Sequence, residues 1–194
     1  MTSPAQGQYL VYERGPNPGD EVHLSCHRGP GALGPYTSNY CHLTYVKGGI
    51  RYHMGYNASQ YENIQVVRYH PNQEYKHHYD ICHPIQGHAE HLKTCKQDYK
   101  KYNSLRYATI LFYLNDGYEG GETYFPKLNK KIKPKKGKAL IFFNCNLNKD
   151  TKNNGLCDVI YNSEHAGLPV KVSKNTNQSN EKWIANVWIR TKSI

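Results

Sequence analysis

The sequence predicts a mainly β domain of the sandwich, jelly-roll or barrel kind. Three observations carry the prediction. Seven or eight short runs of β-branched and aromatic residues recur along the chain, turn residues separate them, and neither an internal repeat nor a sustained heptad pattern is present. The 194 residues fit one domain with room for a sizeable core. With 38% hydrophobic and 21% charged residues, the composition excludes a disordered chain. Eighteen tyrosines against four phenylalanines give bulk with a polar tip, which suits strands that line a half-wet cavity.

Residues 1–60 are rich in Gly, Pro, Tyr and polar residues, and read as loops and short strands. The expectation is an N-terminal, loop-rich extension packed on or covering a core domain at residues 61–194. The texture changes at IQVVRYH (64–70), a strand by its β-branched and aromatic content. AEHLKTCKQDYKKYN (89–103) is a polar connector with a short helix. RYATILFYL (106–114) is the clearest strand, NDGYEGG (115–121) is turn chemistry, and ETYFP (122–126) is a short strand. KALIFFN (138–144) follows the Pro134 to Gly137 turn as a buried strand. CNLNKDTKNNGLC (145–157) is an Asn-rich loop, DVIYNSEH (158–165) and PVKV (169–172) are short strands, and SKNTNQSN (173–180) is a polar loop. WIANVWIR (183–190) closes the domain. Along this last strand Lys182, Ile184, Asn186, Trp188 and Arg190 share a mixed face suited to a ligand cavity, and Trp183, Ala185, Val187 and Ile189 share an apolar one.

The net charge of +10 can steer the chain toward nucleic acid, an anionic membrane or acidic substrates. Much of it lies between Lys127 and Lys138, around Pro126 and Pro134. That run reads as a solvated loop, because no aromatic residues interleave with it as single-strand binding requires. The start, MTSPAQGQYL, lacks the basic and apolar regions of a signal peptide, and no stretch approaches the roughly 20 apolar residues of a membrane span. The expectation is a soluble, intracellular protein whose six cysteines are reduced. Two Cys/His groupings, Cys26-His27 with Cys41-His42 and Cys82, His83, His88, His91 and Cys95, offer zinc-type ligands without a zinc-type spacing.

His78-Tyr79-Asp80 carries more chemistry. On a strand, residues i and i+2 point to one side, so an imidazole and a carboxylate converge. A histidine from a distant strand would complete a 2-His-1-carboxylate face, the arrangement of non-haem iron(II) oxygenases, with three positions left open. Alone the tripeptide means little: with eleven histidines and fifteen acids, one such match is expected by chance.

The blocks that follow it raise the odds. QVVRYHPNQEYKHHYD (65–80), RYATILFYLNDGYEGGETYFP (106–126), KPKKGKALIFFN (133–144), HAGLPV (165–170) and KWIANVWIR (182–190) resemble, in order, the motif blocks of the prolyl 4-hydroxylases, the procollagen-proline 4-dioxygenase type of iron(II)- and 2-oxoglutarate-dependent dioxygenase. The resemblance covers roughly residues 62–190 and is weak before residue 60. It implies a double-stranded β-helix (jelly roll) with few helices, iron held by the catalytic set His78, Asp80 and His165, 2-oxoglutarate and O₂ as cosubstrates, and ascorbate as an accessory. It implies hydroxylation of a peptidyl proline, coupled to oxidative decarboxylation of 2-oxoglutarate to succinate and CO₂.

A buried cation is needed for the far carboxylate of 2-oxoglutarate. The family's lysine stands ten residues after the second histidine, but here that position is Asn175. The K-W-x-A-x-x-W-I-R frame aligns Lys182 instead, with a seven-residue loop insertion, and Lys174 is its rival. By the resemblance, Tyr113 and Thr123 stand near the far carboxylate and Tyr69 near the keto-acid end. Tyr75, Glu62, Arg106 and Trp188 stand at peptide-contacting positions. For each of these the ordinary alternative is packing or a surface ion pair. The substrate expected is a proline-containing peptide or protein. Other readings are a hydroxylase of lysine, a free amino acid or a nucleobase, a non-catalytic binding domain on the same fold, and a basic nucleic-acid module resting on charge alone.

Overall fold

Antiparallel pairing of strands distant in sequence organises the computed structural model. It describes the backbone of residues 9–12, 21–31, 34–47, 50–53, 58–83, 89–148, 154–171 and 180–194, with side chains described from residue 59 onward except over 84–92, 149–153 and 172–179. The strands are β1 (Tyr9–Tyr12), β2 (Glu21–Gly31), β3 (Gly34–Lys47), β4 (Ile50–His53), β5 (Gln65–Tyr69), β6 (Tyr75–His78), β7 (Arg106–Tyr113), β8 (Glu119–Gly120), β9 (Thr123–Phe125), β10 (Lys130–Ile132), β11 (Ala139–Phe143), β12 (Cys145–Asn146), β13 (Asp158–Val159), β14 (His165–Gly167), β15 (Val170–Lys171) and β16 (Lys182–Arg190). One helix, α1 (Ala89–Tyr102), separates β6 from β7.

A five-stranded antiparallel sheet runs in the order β1-β11-β7-β16-β5, and a four-stranded one in the order β10-β9-β14-β6. This is the jelly-roll arrangement, built from strands distant in sequence. On one face of the larger sheet Leu111 and Tyr113 of β7, Leu140 and Phe142 of β11 and Ile184 of β16 meet Phe125 and Ile132 of the smaller sheet. On the other face Ala108, Ile110, Ile141, Val187 and Ile189 form a second cluster, with Tyr99 of α1 packed against it. Burying one such side chain contributes roughly 1.5–3 kcal/mol. The period-2 alternation read from β16 holds as far as Ile189: Val187 and Ile189 enter the second cluster, and Lys182, Ile184, Asn186 and Trp188 face a cavity. It breaks at Arg190, where the pairing with β7 shifts register and the guanidinium bonds Glu62 and Asp98 instead of lining the cavity.

Four expectations give way. Residues 21–31 and 34–47 form strands of 11 and 14 residues rather than short ones, and β2, β3 and β4 make a sheet of their own. The lysine run is not one solvated loop: β10 lies at the edge of the smaller sheet, with Lys130 and Lys131 exposed and Ile132 buried. Lys138 is buried, its Nζ donating to the Lys133 carbonyl at 2.8 Å. Exposed lysines on an edge strand discourage pairing with other chains. Residues 158–165 are not one strand, because a 3₁₀ turn at Tyr161–Ser163 separates β13 from β14.

The cysteines are the fourth case. Cys82 is bonded to Cys95 and Cys145 to Cys157, so these four are not reduced, and Cys82 and Cys95 are not zinc ligands. The first bond ties the segment after β6 to α1, and the second closes the β12–β13 pair. Loops of this length give roughly 3 kcal/mol each in the chain-entropy model. Cys26 and Cys41 stand opposite each other in the β2–β3 register, and their side chains lie outside the described residues, as do those of His27, His42, His88 and His91. Among the described residues no helix is long and apolar enough to cross a membrane.

Candidate active site

Strand pairing assembles the site. β14 pairs with β6 so that His165 stands opposite His78, their ring centroids 4.3 Å apart. The register shifts just after His165, a bulge of the kind that re-aims a side chain. Asp80 lies two residues beyond His78, in a bend past the end of β6 rather than on the strand itself. Its Oδ1 is 3.5 Å from His78 Nε2 and its Oδ2 3.8 Å from His165 Nε2. One ligand atom from each of the three residues lies within 4.8 Å of the others.

The hydrogen bonds around the histidines decide which nitrogen is offered. His78 Nδ1 donates to the Lys76 carbonyl at 2.7 Å, and His165 Nδ1 to the Ser163 carbonyl at 2.9 Å. A carbonyl only accepts, so each Nδ1 carries the proton and each Nε2 is left as a lone-pair donor. Burial pushes the His165 pKa down against the opposing charge of Asp80, which favours the neutral imidazole. Burial pushes the Asp80 carboxyl up, but its neighbours His78, His165 and Thr109 outweigh it and hold it well below the usual carboxylate range. Two imidazoles, each offering Nε2, and one carboxylate are the donor set that suits iron(II) with open positions.

A cavity of about 380 Å³ opens beside the three residues. Lys182 and Thr123 line its buried part, with Tyr69 beside them. Lys182 Nζ donates to the Gly121 carbonyl at 2.7 Å and lies 5.0 Å from the centre of the Tyr69 ring. Burial lowers the Lys182 pKa to about 8, and the charge of Glu122 opposes the fall. Gly121 makes room for this lysine. Its φ is +69°, and a Cβ there would come within 3.0 Å of Tyr118 Cε2 and 3.1 Å of Lys182 Cδ. Tyr113 does not line the cavity; it is buried behind Thr123, with the two hydroxyls 2.7 Å apart. Lys174 lies outside the described residues.

Tyr75, Arg106 and Trp188 line the more open side. The Arg106 guanidinium stacks 3.7 Å over the Trp188 ring and bonds both oxygens of Glu62, at 2.8 and 2.9 Å. Glu62 does not reach the cavity. It also accepts from Arg190 Nε at 2.7 Å, and Arg190 bonds Asp98 of α1. Burial pushes the Glu62 pKa up, but the two arginines hold it below the ordinary value. The four residues expected at the peptide are thus two on the cavity wall that stack, one that braces them, and an exposed tyrosine.

One residue of the site was not singled out from the sequence. Thr109 donates its hydroxyl to Asp80 Oδ2 at 2.6 Å. It is the threonine of the R-x-x-T block beginning at Arg106, so the signal was present.

Known proteins are similar to this chain in sequence. The model of a family described as the 2OG-Fe(II) oxygenase superfamily matches residues 64–190. The chain is 40% identical over 133 residues to a prolyl 4-hydroxylase homologue of Acanthamoeba polyphaga mimivirus, covering 69% of this chain and 46% of that one. It is 36% identical over 149 residues to prolyl 4-hydroxylase 1 of Arabidopsis thaliana, covering 70% and 43%. The viral collagen prolyl hydroxylase of Paramecium bursaria Chlorella virus-1, solved with 2OG, is 36% identical over 67% of this chain and 59% of that one, with a TM-score of 0.47. The chain spans less than half the length of these two curated relatives.

Proposed function

The chain belongs to the 2OG-Fe(II) oxygenase superfamily, and from that premise we propose that it hydroxylates a proline within a peptide or protein, coupled to decarboxylation of 2-oxoglutarate to succinate and CO₂. The observation that carries the reading is the His78, Asp80 and His165 cluster on the wall of a cavity that also holds a buried lysine. A domain that merely bound peptide would need neither. We take residues 61–194 as the catalytic unit, with residues 1–60 as an extension to it.

In this reading His78 and His165 hold iron(II) through Nε2 and Asp80 through its carboxylate. The metal, when bound, supplies the activation of O₂, and the protein binds, orients and shields. The Lys182 ammonium pairs with the far carboxylate of 2-oxoglutarate, which would be strongly unfavourable in the cavity without a counter-charge. The Thr123 hydroxyl, held by Tyr113, is a second donor to that carboxylate, and Tyr69 walls the keto-acid end. On the open side Tyr75 and Trp188 offer rings for a proline, and Arg106, held by Glu62, offers N–H groups to peptide carbonyls. Proline-containing chains are the partner class this surface suits. Two disulfides favour an oxidising compartment, against the expectation of a reducing one.

The test is succinate release by iron(II)-loaded protein with and without a synthetic proline-rich peptide, in the presence of ascorbate. The expected result is release that rises with the peptide and collapses in His78→Ala. Release stimulated instead by a lysine peptide, a free amino acid or a nucleobase would replace the substrate and keep the chemistry. Absence of metal and 2-oxoglutarate binding would end the enzyme reading.

A further inference from the structure

We propose that Thr109 and Asn144 form a positioning relay that fixes the Asp80 carboxylate for the metal. The inference rests on the reading of His78, Asp80 and His165 as ligands. It concerns two residues which that reading does not use.

The geometry runs in one direction. Thr109 and Asn144 are both buried. Asn144 Nδ2 donates to Thr109 Oγ1 at 3.0 Å, and Thr109 Oγ1 donates to Asp80 Oδ2 at 2.6 Å. A hydroxyl has a single proton. Because the amide fills an acceptor site on Oγ1, that proton is directed at the carboxylate. Were the Asn144 amide turned over, its oxygen would compete for the same proton and Asp80 would lose its donor. The orientation that serves Asp80 leaves Asn144 Oδ1 buried and without a partner among the described residues. Buried polar atoms are rarely left so, and the exception points to a role for the other end of the amide.

The far end of the relay is rigid. The Asn144 N–H donates to the Tyr107 carbonyl at 2.8 Å, and its carbonyl accepts from Ile160 N–H at 2.9 Å. Cys145, the next residue, is bonded to Cys157. Asn144 is therefore pinned to β7 on one side and to the start of the 3₁₀ turn before β14 on the other. Thr109 transmits that frame to a carboxylate that itself sits in a bend beyond its strand. The consequence is a fixed carboxylate rotamer. With one lone pair of Oδ2 occupied by Thr109, Asp80 is held back from closing on a metal through both oxygens. A ligand of one oxygen leaves the open positions that a bidentate cosubstrate and O₂ require.

The experiment titrates Mn(II), an air-stable probe, into Thr109→Val, Thr109→Ser, Asn144→Leu and the wild type, alongside thermal melts of the metal-free proteins. Thr109→Val keeps the shape and removes the proton. It is expected to weaken Mn(II) binding by about 10- to 100-fold, the range for lost outer partners of a metal ligand, with the metal-free melting temperature little changed. Thr109→Ser should restore affinity to within a few-fold of wild type, and Asn144→Leu should fall between. Mn(II) binding by Thr109→Val within twofold of wild type would overturn the relay and leave the metal site standing. The relay is likewise overturned if Thr109→Ser is as weak as Thr109→Val, since packing rather than the hydroxyl would then be responsible. If Thr109→Val does not fold, Asn144→Leu and Thr109→Ser decide by the same affinities. Failure of the wild type itself to bind Mn(II) would remove the site and the relay together.

Discussion

Lys182 shows most plainly how the binding role proposed for one residue costs stability. Its pKa falls from the ordinary 10.5 to about 8, first through burial, with Glu122 resisting. Below about pH 8 the lysine is charged in both folded and unfolded chains, and the folded protein carries the full burial penalty. Between about pH 8 and 10.5 the folded form gives up its proton while the unfolded form keeps it, so this residue's contribution to stability improves as pH rises. The penalty at pH 7 is on the order of 3 kcal/mol. Lys182→Met should therefore raise the melting temperature of the ligand-free protein at pH 7, and flatten that part of its pH dependence, while losing 2-oxoglutarate binding. A melt no higher than wild type would contradict the burial argument. By the same titration, the KM for 2-oxoglutarate in the wild type should climb above about pH 8, as the ammonium is lost. Beside it, Gly121→Ala places a methyl against Tyr118 and Lys182 at a backbone φ of +69°. The expected outcome is a loss of about 1 kcal/mol or more in stability and a raised KM for 2-oxoglutarate, read from denaturant melts and steady-state kinetics.

At this scale the sequence was informative where residue type and block order coincided. His78, Asp80 and His165 come together as expected, and Lys182 reaches the cavity where its aligned frame put it. Thr109 and Asn144 escaped notice because a threonine and an asparagine on strands carry no chemistry of their own. Only the three-dimensional path to Asp80 gives them a role. Glu62 and Tyr113 do not line the cavity themselves and bond residues that do, Arg106 and Thr123. Sequence position shows that a side chain points to a region, and packing decides whether it arrives.

Among the elements, those rich in β-branched and aromatic residues were legible: β5, β7, β9 and β11 lie within the runs read for them, and β16 begins one residue before its run. β2 and β3 were not, since Gly29, Pro30 and Gly31 and many polar residues mask any period, and each finds its partner in the other. β10 is too short for a period to show among lysines. The disulfides were unreadable for a different reason, because pairing depends on Cα separations that spacing does not reveal. They carry a prediction at this scale. Cys145→Ser with Cys157→Ser should lower stability by roughly 3 kcal/mol in denaturant melts. The loss in metal affinity should be larger than for Cys82→Ser with Cys95→Ser if Asn144 is the joint that matters, because Cys145 adjoins it. Equal metal affinities for the two double variants would show that the disulfide frame acts only on global stability.

Over the whole molecule, the fold turns distance in sequence into proximity. His165 lies far along the chain from His78, yet antiparallel pairing sets the two rings side by side. The larger sheet contributes Lys182, Arg106 and Trp188 to the opposite wall of the same cavity. Strand count and turn chemistry narrowed the fold to a sandwich, jelly roll or barrel, and the resemblance of the motif blocks selected the jelly roll. Such a fold hosts many reactions, so proline hydroxylation stands on the site and not on the architecture. The most direct measurement is mass spectrometry of a proline-rich peptide after incubation with iron(II)-loaded protein, 2-oxoglutarate and air. The expected product is one oxygen atom heavier, with the oxygen on proline, one succinate formed per hydroxyl, and neither formed by His78→Ala. Protein that binds iron and 2-oxoglutarate yet leaves every proline unmodified, while oxidising another residue or a small molecule, would contradict proline hydroxylation.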